Sequence, residues 1–361
     1  MKHWHELGQI LDRLLRLARA GRPAALAIVT RIRGSAYRRP GAKLLIEGDR
    51  SFLGGISGGC LEEDVRQVGL QVLASGLPRW LHYETGDDDN RVWGLGLGCD
   101  GEVDIAVVPI STEVALGTWA RVRELLDGDA PFALSTVVED GGRTGVVVVG
   151  ASGRLAGRLD DAAADAEVDT VAGAALRARS SSLHLAGART IFTEVLLPPP
   201  NLLVCGAGDD ARPLVAFAAA VGFRVIVADH RAAYLTAERF PDARKLLSLR
   251  PDDESAELPA DGRTCAVVMT HALERDSAWV RRLSATDLPY VGVLGPRTRT
   301  EKILAELGPR DRERIFGPVG LDLGADGPEQ VALSILAEVL AVVSGREPRH
   351  LRERAVSVHA Y

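Results

Sequence analysis

Cys60 is the residue most open to chemistry, because of what surrounds it. It lies in the run Gly54-Gly55-Ile56-Ser57-Gly58-Gly59-Cys60-Leu61-Glu62. Glycine lets backbone amides approach a ligand closely and adopt positive φ. Leu61, Val65, Val68 and Val72 then recur at helical spacing among Glu62, Glu63, Asp64, Arg66 and Gln67. A helix therefore starts next to the cysteine, and a helix start attracts anions and favours a thiolate. Ser57, Gly58, Gly59 and Cys60 form one candidate site: a thiol beside an anion-binding loop. The same run also reads as a tight turn before a buried structural cysteine.

Two further loops carry similar potential. Trp93-Gly94-Leu95-Gly96-Leu97-Gly98-Cys99-Asp100-Gly101 repeats the pattern of glycines around one cysteine, which makes Gly98 and Cys99 candidates. It runs into the strand-like Glu102–Val108. The segment Thr30–Lys43 holds four arginines and no acid, with Arg38 and Arg39 adjacent to each other. Guanidinium forks suit phosphate and carboxylate oxygens. Such a loop also reads as a solvated face or a protein contact. The remaining cysteines, Cys205 and Cys265, sit in apolar strand-like runs and are expected to be inert. The four cysteines form no CxxC or Cys/His ligand set, so no metal site is assigned.

Elements of ordinary type must position these loops. A helix with Leu7, Ile10, Leu11, Leu14, Leu15 and Ala18 on one face opens the chain. Strands are expected at Leu26–Thr30 and Lys43–Ile46, then around Leu81–Glu84 and Val103–Val108. Beyond them come a short helix near Trp119–Leu126 and strands Phe132–Val138, Thr144–Val149 and Thr190–Leu197. The acidic, alanine-rich Asp160–Glu167 is expected to be an exposed helix or loop. Pro198-Pro199-Pro200 favours an extended connector.

After the prolines, Asn201–Cys205 reads as a strand, Gly206-Ala207-Gly208-Asp209-Asp210-Ala211 as a G-x-G-x-x-A turn, and the residues to Val221 as a helix. A second strand, Arg224–Ala228, ends at Asp229, about 20 residues past the glycines. This is the dinucleotide-binding arrangement of a Rossmann-like fold. Gly206 and Gly208 would admit a pyrophosphate, and Asp229 would accept a ribose hydroxyl. Cys265–Met269 and Tyr290–Leu294 continue an open α/β sheet. His271 and Gly295-Pro296-Arg297 follow strand ends, where such sheets bind ligands. A helix from Pro328 to about Val343 packs on the sheet.

The expected fold class is thus α/β: a C-terminal Rossmann-like parallel sheet with an N-terminal mixed α/β domain. The divisions are 1–110, a middle segment and linker at 111–199, a Rossmann-like domain at 200–345 and a tail at 346–361. The chain has 361 residues, a net charge of -6, 46% hydrophobic and 25% charged residues. That composition fits a soluble protein and argues against general nucleic-acid affinity. No apolar run approaches a membrane span and no signal peptide is expected. Few, scattered cysteines suit a reducing cytoplasm.

Three ordered motifs carry a resemblance. Arg33-Gly34-Ser35-Ala36-Tyr37-Arg38-Arg39-Pro40-Gly41-Ala42-Lys43, then Ile56–Glu62, then Gly96-Leu97-Gly98-Cys99 resemble the xanthine dehydrogenase accessory factor family of the XdhC/CoxI type. The likeness continues over Thr270-His271, Gly292–Arg297 and Gly320–Ala325. It implies a non-catalytic chaperone that carries the pterin-based molybdenum cofactor to a xanthine dehydrogenase-type molybdenum hydroxylase. A cysteine desulfurase is an implied partner, and a homodimer is compatible with the pattern. The chain departs from the family at Asp209, where relatives often carry His, and at Asp100, where glycine is common. An acid at 209 repels a pyrophosphate unless it turns away. The alternative reading is an NAD(P)-dependent oxidoreductase using the C-terminal domain, although the first domain offers no evident acid/base set for hydride transfer.

Overall fold

The first eleven-residue strand shows how the N-terminal half is built. In a computed structural model, which describes residues 2–34, 37–49, 51–84, 101–139, 142–159, 161–253, 257–308 and 312–353, strand β1 spans Ala24–Gly34. Its residues 24–30 are buried without alternation. An uninterrupted apolar run of this kind needs cover on both faces. The first cover is helix α1 (Lys2–Arg19), whose Leu7, Ile10, Leu11 and Leu14 share a core with Ala24, Leu26 and Ile28. The second is helix α2 (Glu62–Ser75), whose Val65 and Val72 pack with Ala25, Ala27 and Val29.

Strands β2 (Lys43–Glu47), β3 (Phe52–Gly54), β4 (Arg79–Glu84) and β5 (Gly101–Ile110) complete an antiparallel sheet of order β3-β2-β1-β5-β4. A helical segment follows in three pieces: α3 (Thr112–Val114), a π-type turn (Ala115–Trp119) and α4 (Ala120–Leu125).

The middle of the chain forms a second antiparallel sheet, of order β8-β7-β6-β10-β9. Its strands are β6 (Phe132–Glu139), β7 (Thr144–Gly150), β8 (Gly153–Ala156), β9 (Ser182–Ala186) and β10 (Arg189–Leu196). Phe132, Leu134, Val148 and Phe192 join α1 and the first sheet in one core. The acidic stretch expected as an exposed helix or loop is the start of a 17-residue helix, α5 (Ala162–Ala178), capped by Asp161, and within that stretch only Ala164 is buried among the described residues. Ala164, Val168, Ala172 and Ala175 are buried, and Val168 and Ala172 pack against Val137, Val147 and Ile191. Alanine is a weak hydrophobic signal, so the buried stripe did not stand out from the acids around it.

The chain divides into two compact units between Pro198 and Pro199. The second unit is a six-stranded parallel sheet, of order β13-β12-β11-β14-β15-β16. Its strands are β11 (Asn201–Cys205), β12 (Arg224–Asp229), β13 (Lys245–Ser248), β14 (Thr264–Val268), β15 (Tyr290–Val293) and β16 (Ile315–Phe316). Counted along the chain within this unit, the order is 3-2-1-4-5-6, the dinucleotide-fold arrangement. Helices α6 (Ala211–Ala220) and α9 (Pro328–Val343) cover one face. Helices α7 (Leu273–Ser284) and α8 (Arg297–Ala305) cover the other. Cys205 and Cys265 are fully buried, and burial pushes the Cys265 thiol up to about 12, which keeps it protonated and unreactive. Among the described residues no helix is long and apolar enough to cross a membrane.

Candidate functional site

Strand register brings the N-terminal motifs together. Lys43 pairs with Ile28, Gly54 with Leu44, and Gly101 with Gly34. The Arg-rich loop between β1 and β2 and the Cys60 loop after β3 therefore leave from the same end of the sheet. Glu84 and Gly101 lie at that end too. Gly98 and Cys99 fall within residues 85–100, outside the described residues. The first two loops touch, since a Cβ placed on Gly58 would stand 3.6 Å from the Tyr37 ring. Gly54 is required by the crossing: its φ is 101°, and a Cβ there would lie 2.4 Å from the Lys43 carbonyl oxygen.

The Cys60 loop has the form of an anion nest, and the chain fills it with its own carboxylate. The Ile56 and Ser57 N–H groups donate to Glu62 Oε1 at 3.1 and 2.8 Å, and the Gly59 N–H donates to Oε2 at 3.1 Å. The Ser57 hydroxyl donates to the same Oε2. It also accepts from the N–H groups of Gly59 and Leu61 and from the Cys60 thiol, whose Sγ lies 3.6 Å away. Burial alone would raise the Glu62 carboxyl, but the Ser57 and amide hydrogen bonds outweigh it and hold the group below the ordinary glutamate value. Cys60 remains half-buried. Leu61 at the helix start supplies no side-chain cap. Glu62 instead satisfies the amides of the preceding loop by reaching back over it, a role that its five-residue reach back to Ser57 hides from a motif search.

The arginines are also less free than their sequence suggests. Arg38 pairs with Glu6 of α1, leaving its side chain 10% exposed. Arg31 pairs with Asp104 at 2.5 Å and Arg33 with Glu102 at 3.2 Å, both across the β1–β5 ladder. Arg39 is half-buried. The loop is free of acids only along the chain, because the acids come from α1 and β5. Lys43 is more deeply engaged: its ammonium donates to Gly41 O at 2.9 Å and to Glu194 of β10, and both side chains are buried. A further cluster was not foreseen. Asp104 receives His82 Nδ1 at 2.6 Å as well as Arg31, joining β1, β5 and β4 on one face. Period-two alternation in β4 would have placed His82 on the face opposite Tyr83.

The parallel unit places Gly206, Gly208, Asp229 and His271 at the carboxyl ends of β11, β12 and β14, beside the switch in strand order. Gly206 has φ 128°, and a Cβ there would lie 2.5 Å from the Met269 carbonyl oxygen. The glycine is thus demanded by the close passage of β11 and the end of β14. Gly208 is open, with His271 Cδ2 as nearest atom at 3.9 Å from an added Cβ. His271 has φ 59° and places Nε2 3.2 Å from Asp210 Oδ2. Asp209 does turn outward, to Arg239 Nη2 at 3.0 Å. Asp229 is 4% exposed and accepts the Ala207 N–H at 2.8 Å and the Arg231 guanidinium. Burial opposes ionisation, but Arg231 and the two backbone donors lower this carboxyl to about 2. Among the described residues no three His, Cys, Asp or Glu groups converge to hold a metal ion. A cavity of about 340 Å³ lies at the other end of the first sheet, lined by Ala24, Leu73, Ile110, Thr136 and Val146, away from these loops.

Comparison with known proteins finds two matched regions in this chain. Residues 202–339 match the XdhC Rossmann domain, and residues 17–84 match the XdhC and CoxI family. The chain is 32% identical over 324 residues to a Bacillus subtilis (strain 168) protein named as a probable component of xanthine dehydrogenase, covering 88% of this chain and 92% of that one. It is 24% identical over 355 residues to an Escherichia coli (strain K12) protein named as the molybdenum cofactor insertion chaperone PaoD, covering 94% and 93%. A crystal structure from Bacillus halodurans, described as a xanthine dehydrogenase, superposes with a TM-score of 0.77 at 28% identity, covering 94% of this chain and 96% of the other. With its two matched regions in order and near full-length similarity to a relative of this kind, the chain belongs to the XdhC and CoxI family.

Proposed function

We propose that this protein is a cytoplasmic maturation factor that binds the pterin-based molybdenum cofactor as cargo and delivers it to a xanthine dehydrogenase-type molybdenum hydroxylase. What supports the reading is family membership, together with the relative named as a cofactor insertion chaperone. The observation that carries it is the half-buried Cys60 thiol, held by Ser57 on a glycine loop that meets Tyr37 of the Arg-rich loop. A soft thiolate suits a molybdenum–sulfur centre. In this reading residues 1–110 handle the cargo, with Arg38, Arg39, Ser57, Gly58, Gly59 and Cys60 nearest to it, and Gly98 and Cys99 as a second contact. Glu62 constrains the fit. Its carboxylate already occupies the loop amides, so a cargo phosphate takes that place only by displacing it. A cysteine desulfurase is the proposed sulfur donor, and a homodimer the proposed assembly.

The test is to purify the protein from a host that makes molybdenum cofactor and measure molybdenum and pterin content, alongside activation of the client hydroxylase. Wild type should retain pterin and activate the client, and Cys60→Ala should lose most of both while keeping its fold. Full client activation by Cys60→Ala would remove the thiol from the mechanism. The second reading, an NAD(P)-dependent oxidoreductase, draws on the 3-2-1-4-5-6 order and the Gly206–Asp210 turn. Substrate-dependent oxidation of NADPH or NADH by the purified protein would promote it over the chaperone reading.

A further inference from the structure

Asp229 stands where a dinucleotide fold holds the ribose of its ligand. A carboxylate offers about four lone-pair positions. Here Oδ1 accepts the Arg231 N–H at 2.9 Å and Arg231 Nε at 3.0 Å. Oδ2 accepts the Ala207 N–H at 2.8 Å and Arg231 Nη2 at 2.8 Å. The acceptor capacity that would receive ribose hydroxyls is therefore already taken. The group standing next to the ribose position is a guanidinium. Arg231 keeps Nη1 and one Nη2 hydrogen without a hydrogen bond among the described residues, and its side chain is 37% exposed.

The surroundings hold Arg231 in place and add a second cation. Its Cζ lies 4.0 Å from the centre of the Tyr234 ring, and Arg239 Cζ lies 5.0 Å from the same centre. Such stacking fixes a guanidinium plane and leaves its edge free to donate. Arg239 Nη2 bonds the Ala207 carbonyl at 3.2 Å and Asp209 at 3.0 Å, so the two arginines bracket the glycine turn and the end of β12. His230 Nδ1 lies 3.1 Å from Asp229 Oδ1. A neutral ribose diol gains little from these donors, whereas a phosphate matches an arginine fork.

We propose that the parallel-sheet unit binds a nucleotide whose ribose carries a phosphate monoester, and that Arg231, braced by Asp229 and Tyr234, recognises that phosphate. The inference concerns this unit alone and stands whether or not the chain carries a pterin cofactor.

The test is isothermal titration calorimetry on the full chain with 2′,5′-ADP, 3′,5′-ADP and 5′-ADP, and with NADP+ against NAD+. A ribose phosphate should tighten binding by about ten-fold or more, the range of one charge-assisted pair. The 2′- and 3′-phosphate arms distinguish an NADP-type ligand from a coenzyme A-type ligand. Arg231→Ala should abolish the preference for a ribose phosphate, with far-UV circular dichroism reporting that the chain is folded. Equal affinities in the wild-type protein, no binding of any of these nucleotides, or a preference that survives Arg231→Ala would each overturn the proposal. The wild-type comparison decides even if the variant does not fold, and none of these outcomes bears on molybdenum content.

Discussion

Removing the charge of Glu194 tests how the Arg-rich loop is held. Lys43 follows that loop directly, and its side chain is 4% exposed. Its ammonium has two acceptors in the structure, the Gly41 carbonyl and the Glu194 carboxylate. Gly41 has φ 94°, and a Cβ there would stand 2.6 Å from Glu194 Oε1, so the carboxylate fills the space the glycine leaves. Glu194→Gln keeps the shape and strips the charge, leaving a buried ammonium uncompensated. Breaking one side of such a pair costs about 3–5 kcal/mol. For a unit of this size about 1 kcal/mol corresponds to 2–4 °C, so the melting temperature should fall by roughly 6–20 °C.

Lys43→Met leaves the buried Glu194 carboxylate without its cation and should be destabilising as well. Replacing both residues by apolar ones (Lys43→Met with Glu194→Leu) should recover most of the loss, because a well-packed apolar pair is often as stable as a buried ion pair. Urea unfolding followed by tryptophan fluorescence gives the double-mutant cycle, as Trp4 and Trp119 are buried in this unit. If Glu194→Gln stays within about 1 kcal/mol of wild type, or the double variant is no better than the worse single one, the pair does not hold the loop as argued.

Three other expectations can be checked together. Glu62→Gln removes the charge that accepts three amides and the Ser57 hydroxyl, and should cost about 1–3 kcal/mol at neutral pH. Glu62 is held below its usual value, so its contribution is present at neutral pH and fades in acid; the wild-type and variant denaturation midpoints should converge there. Asp229, lowered to about 2 from an ordinary 3.8, should contribute about 2–3 kcal/mol at neutral pH that is lost as pH falls from about 5 towards 2. Acid unfolding of the parallel-sheet unit, followed by amide hydrogen exchange in its strands, should show that loss in wild type and its absence in Asp229→Asn. Gly206→Ala should destabilise by more than about 2 kcal/mol while Gly208→Ala stays within about 0.5 kcal/mol, since only the former meets backbone at a positive φ. Equal melting temperatures for the two alanine variants would contradict that account.

Much of the architecture was legible along the chain. The stripe of α1, the buried run of β1, the three prolines at the unit boundary and the strand–glycine turn–helix–strand–Asp229 series each lie within about 30 residues of sequence. Their signals follow from backbone geometry that repeats every 3.6 or 2 residues. The candidate site was legible as residue types but not as partners. Arg38 looked unopposed, yet Glu6 reaches it from 32 residues away. Lys43 meets Glu194 from 151 residues away, and His82 reaches Asp104 through a strand ladder. Even the local pairings were hidden. The amide nest looked open to a ligand until Glu62 turned back into it, and Asp229 looked like a ribose acceptor until Arg231, two positions on, occupied both its oxygens. Sequence alone determined which groups carry charge and where the chain can bend. Tertiary structure decided which charges are already answered, because that depends on how distant segments and side-chain rotamers meet in space, and neither has a period that a sequence can display.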